Sequence, residues 1–323
     1  SDIASWKGMA NEAVTHNAAH PEDPTAWTNS MFGGMPTTAT IDSFEGDWTD
    51  AIYDFLLTGR RPASYLLLAL IGGFLLMLSV GTGKVVAVAG AIAIAFCSYN
   101  MQIIQVGHNT KMQAIAYFPW VLAGVIFTYR RKDAQDNWKS WLPKTVLGAT
   151  LFAFALSFQI KANHPQITYY FLFACIALWI SEFVFSLVER RFKRYMLATA
   201  MLLVAALLAV GSNFAPLYYA FEHKDSTSRG GSETVDAKAA RQEKIEYNTM
   251  WSYGKAESFN MFVPDFMGGA STDTFAKDGE VAASLKEYGI EEFAQYLPRY
   301  RGDQPYTAGP TYLGAAVIML AVF

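Results

Sequence analysis

Two short polar islands interrupt a long apolar stretch of this chain, and they hold the side chains best suited to chemistry. The first is Gly107-His108-Asn109-Thr110-Lys111 and the second Lys161-Ala162-Asn163-His164-Pro165-Gln166, both inside the stretch from Pro62 to Tyr219. Each island sets a His-Asn neighbour pair beside a lysine. At the mouth of a helix pair, lipid cannot satisfy such groups, so they face water, protein or a bound polar ligand. A single turn of this kind reads as a solvated helix end. Two of the same character give a ligand site equal weight with that reading. The ligand implied is anionic at one end, because a lysine suits a phosphate as a point charge and a helix N-terminus or an arginine shares the load. Lys111, Lys161, Arg299 and Arg301 are the cations with suitable surroundings.

The elements that must carry the islands are membrane helices. The chain is 52% hydrophobic, 15% aromatic and only 16% charged, with a mean hydropathy of +0.17, which is too apolar for an ordinary soluble protein of 323 residues. Six segments are nearly free of charge: Pro62 to Val80, Val85 to Val106, Met112 to Tyr129, Thr145 to Ile160, Gln166 to Val188 and Tyr195 to about Leu217. At about 1.5 Å per residue most of them cross a hydrocarbon core of roughly 30 Å, and the shortest can be extended into its flanks. Their apolar runs are continuous rather than alternating, so they read as helices, which satisfy their own backbone groups in lipid. The expected fold class is therefore an all-α polytopic membrane protein. A further span begins within residues 310–323. A start at Ser1 without methionine and a stop inside an apolar run predict a piece of a longer membrane protein.

Loop charge orients the bundle. Arg130, Arg131, Lys132, Lys139 and Lys144 share one connection, Arg190, Arg191, Lys193 and Arg194 another, and Lys84 sits in a tight turn; the positive-inside rule makes all three cytoplasmic. Alternation then puts residues 1–61, both islands and residues 218–309 outside. The expected organisation is a first extracytoplasmic loop (1–61), six transmembrane helices (62–217), a second extracytoplasmic domain (218–309) and the start of another helix (310–323). Nine of the 28 acidic residues fall in the first outer segment and fifteen in the second, so the net charge of −3 averages a basic inner face and an acidic outer one. Nucleic-acid binding finds no support, since the basic residues are the topology signal.

Within the first outer segment, Asp42 to Leu57 places Phe44, Trp48, Ile52, Phe55 and Leu56 at helical spacing with acids between, as in a helix lying along a membrane surface. Trp27 to Pro36 reads as a loop whose glycines permit close backbone approach, and the segment as a whole as irregular. In the second, Val281 to Leu297 reads as one amphipathic helix ended by Pro298. Glu182 is the one acid within a span, nearer the inner side. Cys97 and Cys175 lie in predicted helices and form no disulfide framework. Gly81-Thr82-Gly83-Lys84 lacks the first glycine of a P-loop, and neither zinc-ligand spacing nor a nucleophile elbow occurs.

Several stretches together resemble a known family. Asp2-Ile3 with Trp6 to Met9, WTNSMFGGMP (27–36), GHNTKMQAIAY (107–117), ANHPQITYY (162–170), WSYG (251–254) and RGDQP (301–305) resemble, in order along nearly the whole chain, the YfhO-like membrane proteins in their Bacteroidetes-type branch. The resemblance implies a GT-C-like helical bundle with two extracytoplasmic loop domains, of the glycosyltransferase C superfamily, whose members move a sugar from a polyprenyl-phosphate carrier to an acceptor outside the membrane. It places the chain in a bacterial inner (cytoplasmic) membrane, with its active face periplasmic or extracytoplasmic and a glycan or envelope polymer as acceptor. It also implies a first transmembrane helix before Ser1 and a C-terminal part after Phe323. The essential acid near the start of the first outer loop corresponds to Asp2.

An inverting transfer needs a carboxylate to take the acceptor proton and cations to steady the leaving phosphate, and in principle no metal or other cofactor. On this reading Asp2 is the base. His108, Asn109, Lys111, Lys161, Asn163 and His164 contact phosphate and sugar, and Arg301 and Asp303 form a lid from the second outer domain. A flippase for lipid-linked saccharides is the second reading, and predicts charged or broken-helix positions near mid-membrane. A non-catalytic envelope assembly protein is the third.

Overall fold

The computed structural model describes residues 2–30, 34–37, 47, 49–57, 60–129, 138–222, 242, 245–246, 249–307, 309 and 311–322, with the backbone alone for 2–10. It is mainly helical, with little strand among the described residues. In order come α1 (Asp2–Ala19), a two-stranded hairpin of β1 (Trp27–Thr28) and β2 (Met35–Pro36), α2 (Thr49–Leu57), α3 (Ala63–Ser79), α4 (Lys84–Ala95), α5 (Ser98–Val106), α6 (Asn109–Thr128), α7 (Trp138–Lys161), α8 (Pro165–Val188), α9 (Phe192–Gly211) and α10 (Phe214–Glu222). Beyond them lie a 3₁₀ turn at Glu257–Met261, α11 (Glu280–Lys286), another 3₁₀ turn at Glu291–Tyr296 and α12 (Ala315–Val322).

Among the described residues five helices are long and apolar enough to cross a membrane: Lys84–Val106 taken through its break, α6, α7, α8 and α9. This is the chain of a multi-pass membrane protein. Helix α8 makes the physical case best, because Tyr169, Leu172, Phe173, Ile176, Ile180 and Val184 are all exposed along it. A helix apolar all round and uncovered by protein requires lipid as its solvent. Helix α3 is equally apolar, but its 17 residues stand at the short limit for a span.

Lipid removes the hydrophobic drive between helices, so small residues and polar contacts hold them together. Ala87, Ala91 and Ala95 form a buried stripe on α4, and a Cβ added at Gly73 of α3 would lie 3.0 Å from the Ala91 Cα. Helices α6 and α7 meet more closely still. A Cβ at Gly124 would lie 2.7 Å from the Phe152 backbone nitrogen, and one at Gly148 would lie 2.6 Å from that of Thr128. Polar contacts add to this: Trp120 of α6 donates through Nε1 to the Leu68 carbonyl of α3 at 2.8 Å, and in the α9–α10 turn the buried Asn213 donates to the Ser157 carbonyl of α7 at 3.1 Å and the Ala209 carbonyl at 2.9 Å.

Several expectations require correction. The predicted helix Val85–Val106 is broken at Phe96-Cys97, and α9 stops at Gly211 before α10 begins. Residues 2–19 are a regular helix, where the sequence shows no clear apolar face. The predicted helix 281–297 is two pieces, because Gly289 takes a left-handed φ of 67° and ends the first. By contacts the chain divides into two compact units. One comprises residues 1–96 and 107–222, so the first loop packs with the bundle; the other comprises residues 97–106 and 223–323, taking α5 with the second loop segment.

Candidate functional site

Both islands stand at one end of the first unit. Gly107, at a φ of 82°, turns the chain into α6, whose first residue is Asn109, and the His108 carbonyl accepts the Met112 N–H at 3.0 Å. Across from it α7 ends at Lys161 and α8 begins at Pro165, a residue pre-set for the first turn of a helix. Ala114 of α6, Ala162 of the second island and Ile167 of α8 pack into one buried cluster that fixes the islands side by side. The N-termini of two long helices, α6 and α8, thus share this end of the bundle, and each is the positive end of its helix dipole.

Lys161 is the centre of the site, and its surroundings differ from those expected. Its ammonium donates to Asp47 Oδ2 at 2.5 Å and to Thr49 Oγ1 at 3.2 Å, pairs also with Asp50, and lies 5.8 Å from the centre of the Tyr53 ring. All three polar partners lie in or just before α2. Burial works against the charge on Asp47, but its bonds from Lys161 and Thr49 outweigh that and hold its carboxyl below the usual range. Asp47 also starts the helix, accepting the Thr49 N–H at 2.9 Å in the manner of an N-cap. One lysine between two aspartates leaves this cluster with surplus negative charge. Lys161 is therefore not an open cation, and as a phosphate contact it would have to exchange partners.

Helix α2 meets the bundle through Thr49, Tyr53 and Leu57, one residue per turn. The Tyr53 hydroxyl donates to Gln113 of α6 at 3.3 Å, and its ring packs with those of Tyr117 and Phe158; burial pushes its phenol pKa upward. The apolar set expected on α2 therefore faces elsewhere: Phe55 is 76% and Ile52 39% exposed. Phe44 and Trp48 lie outside the described residues.

The other sequence candidates differ in exposure and in the demands of their turns. His108 is exposed, while Asn109, Lys111 and His164 are half-buried. Asn163 is exposed and takes a left-handed φ of 53°, ending α7 as asparagine commonly does, so its backbone is committed to the turn. Asp2 opens α1, and its carboxylate lies outside the described residues. Among the described residues no group of three or more His, Cys, Asp or Glu could hold a metal ion.

Arg301 and Asp303 belong to the second unit, where the organising residue is one that the sequence pattern does not single out. Glu257 is 1% exposed and accepts from the Gly254 N–H at 2.7 Å, the Asp303 N–H at 3.0 Å and the Tyr300 hydroxyl. The WSYG and RGDQP segments are thereby tied to one carboxylate, and Gln304 adds a bond to the Trp251 carbonyl at 2.7 Å. A Cβ at Gly254 or Gly302 would collide with this carboxylate or with Asp303, which accounts for both glycines. Arg301 lies with its guanidinium 5.8 Å from the Phe275 ring. Nothing in the spacing of Glu257 separates it from the other acids of its segment.

Two large apolar grooves run along α7. One, of about 570 Å³, is walled by Val121, Phe152, Leu156, Phe171, Val210 and Leu217 and has Lys161 and Asn163 at its rim. The other, of about 820 Å³, lies between α7 and α9 from Val146 to Ser157 and reaches Thr49. Both grooves therefore reach the Lys161–Asp47–Thr49 cluster. Gln159, fully buried, lines the first with no hydrogen-bond partner for either amide atom among the described residues.

Comparison of the chain with protein-family models, with curated proteins and with solved structures gave no match.

Proposed function

We propose that the protein is a membrane glycosyltransferase that moves a sugar from a polyprenyl-phosphate carrier to a cell-envelope acceptor on the outer side of a bacterial inner membrane. The observation that carries the proposal is the pair of apolar grooves reaching one charged cluster. A lipid-linked sugar needs a dry channel for its chain and, where the chain ends, polar groups for its phosphate. The N-termini of α6 and α8, with Lys111 and His108, supply the attraction for the phosphate. In the transfer, the bond from the anomeric carbon to the phosphate oxygen breaks and the bond to the acceptor oxygen forms. The acceptor proton passes to a carboxylate, and the phosphate leaves on its carrier. Asp2 is that base by its position in the resemblance to the YfhO-like family, and Asp50 is the second carboxylate to test. Placement of the islands on the outer face rests on the basic loops opposite them.

The test is complementation of a deletion strain with full-length protein. Wild type should restore the outer-surface glycan while Asp2→Asn and Lys111→Ala should not. Full restoration by both variants would overturn the enzymatic reading and leave assembly. The break at Phe96-Cys97 favours the flippase as the second reading, since interrupted helices serve transport sites. Lipid-linked sugar held on the inner leaflet of the deletion strain would establish it instead.

A further inference from the structure

A separate polar cavity of about 360 Å³ lies between α1 and the hairpin, lined by Glu12, His16, Asp23, Thr25, Trp27 and Asn29. We propose that it is a binding site for a neutral saccharide, with the Trp27 indole as its floor.

The walls of the cavity are held in place before any ligand arrives. Asn17 fixes the turn after α1 by two bonds with Thr25, its amide donating to the Thr25 carbonyl at 3.2 Å and its oxygen accepting the Thr25 N–H at 2.8 Å. Glu12 holds the other side, accepting the Ser30 N–H at 3.0 Å, the Asn29 N–H at 3.1 Å and the hydroxyls of Thr28 and Ser30. Trp27 packs against Gly34, where an added Cβ would lie 2.6 Å from the indole, yet the residue remains 47% exposed. Its Nε1 donates to Asn29 Oδ1 at 3.1 Å, which fixes the ring and turns the Asn29 side chain with it. Preorganisation of this kind is what lets a small polar ligand bind without a large ordering cost.

The chemistry of the lining selects the ligand class. Glu12 has its acceptor capacity taken up by the loop it holds, which leaves Asp23 as the exposed carboxylate. Asn29 can donate and accept, His16 can do either, and Asp23 accepts. A sugar hydroxyl also does both, and the apolar face of a pyranose matches an exposed indole. The alternative occupant, an organic cation on the Trp27 face paired with Asp23, would gain from cation–π attraction but would leave the donors and acceptors of Asn29 and His16 unused. The biological sense of the site, an acceptor glycan beside a glycosyltransferase, rests on the proposed function, whereas the binding itself can be measured without turnover.

The test is saturation-transfer NMR on the full chain in lipid nanodiscs, because glycosidic detergents would occupy the site. The probes are glucose, galactose, mannose, N-acetylglucosamine and, as the competing class, choline. At least one sugar should show transfer, with affinity about tenfold weaker in Trp27→Ala, partly kept in Trp27→Phe and reduced in Asp23→Asn. The Asp23 side chain is exposed and only its backbone is bonded in the turn, its N–H to the His20 carbonyl at 3.1 Å, so Asp23→Asn serves even if Trp27→Ala fails to fold. No sugar signal, equal binding by Asp23→Asn and wild type, or a preference for choline would each overturn the site. Sugar binding in a protein without transfer activity would instead count against the function and leave the site standing.

Discussion

Lys161, the last residue of α7, is ion-paired with Asp47, 114 positions earlier, Nζ to Oδ2 at 2.5 Å. The contact fastens the first loop segment to the helix bundle at the second polar island. It also redefines Lys161, a cation singled out for anion binding, as a residue already shared by two carboxylates.

Loss of this lysine should destabilise the protein. With side chains 15% and 18% exposed, the pair lies between a surface and a buried ion pair, and Lys161→Met should cost about 2–3 kcal/mol. Thermal unfolding in nanodiscs measures it. Adding Asp47→Asn and Asp50→Asn to that variant should recover stability, because they remove the uncompensated charges. Strict additivity of the three changes would show that the groups are not coupled.

Glu12 should titrate far below an ordinary glutamate. Bonds from the Ser30 and Thr28 hydroxyls, followed by the Asn29 N–H, draw its pKa from 4.5 to about 2. A folded-state pKa lowered in this way adds stability that is complete above about pH 4.5 and lost as the pH falls toward about 2. Carboxyl-carbon NMR with Glu12 assigned by Glu12→Gln should give the low midpoint; a midpoint near 4.5 would refute the cage.

Tyr300→Phe should destabilise the second loop segment by about 1–3 kcal/mol, because it leaves a buried lone pair of Glu257 without its donor. Burial first, and then the bond to Glu257, push the Tyr300 phenol up to about 12. Its contribution is therefore full below pH 10 and lost as the pH rises toward 12. Ultraviolet titration of wild type against Tyr300→Phe should show one tyrosine ionising late.

Gly124→Ala should cost about 1–3 kcal/mol although alanine is the better helix former, since the new methyl meets Phe152 backbone that cannot yield without parting α6 and α7. Gly83→Ala, where an added Cβ meets nothing within 4 Å, is the matched control. Equal thermal midpoints for the two variants would contradict the close helix approach.

The bundle was largely legible in the sequence. Runs such as Gln166 to Val188 are apolar around the whole helix, and only lipid tolerates that, so spans follow from composition without knowledge of neighbours. Breaks were less legible. Phe96-Cys97 carries neither proline nor glycine, and the division of α4 from α5 between compact units depends on contacts that α5 makes elsewhere, such as the Ser98 hydroxyl on the Tyr312 carbonyl at 2.6 Å.

The candidate site divides in the same way. By itself the sequence determined that polar turns carrying His108, Lys111, Lys161 and His164 punctuate membrane helices, because charge and hydropathy are local properties of a chain in lipid. Only the tertiary structure decided that Lys161 belongs to Asp47 and Asp50, that Asn163 ends a helix, and that Glu257, one acid among fifteen in its segment, binds WSYG to RGDQP. Those pairings join residues far apart in the chain. They depend on which face each helix buries, and a one-dimensional pattern of residue types does not contain that choice.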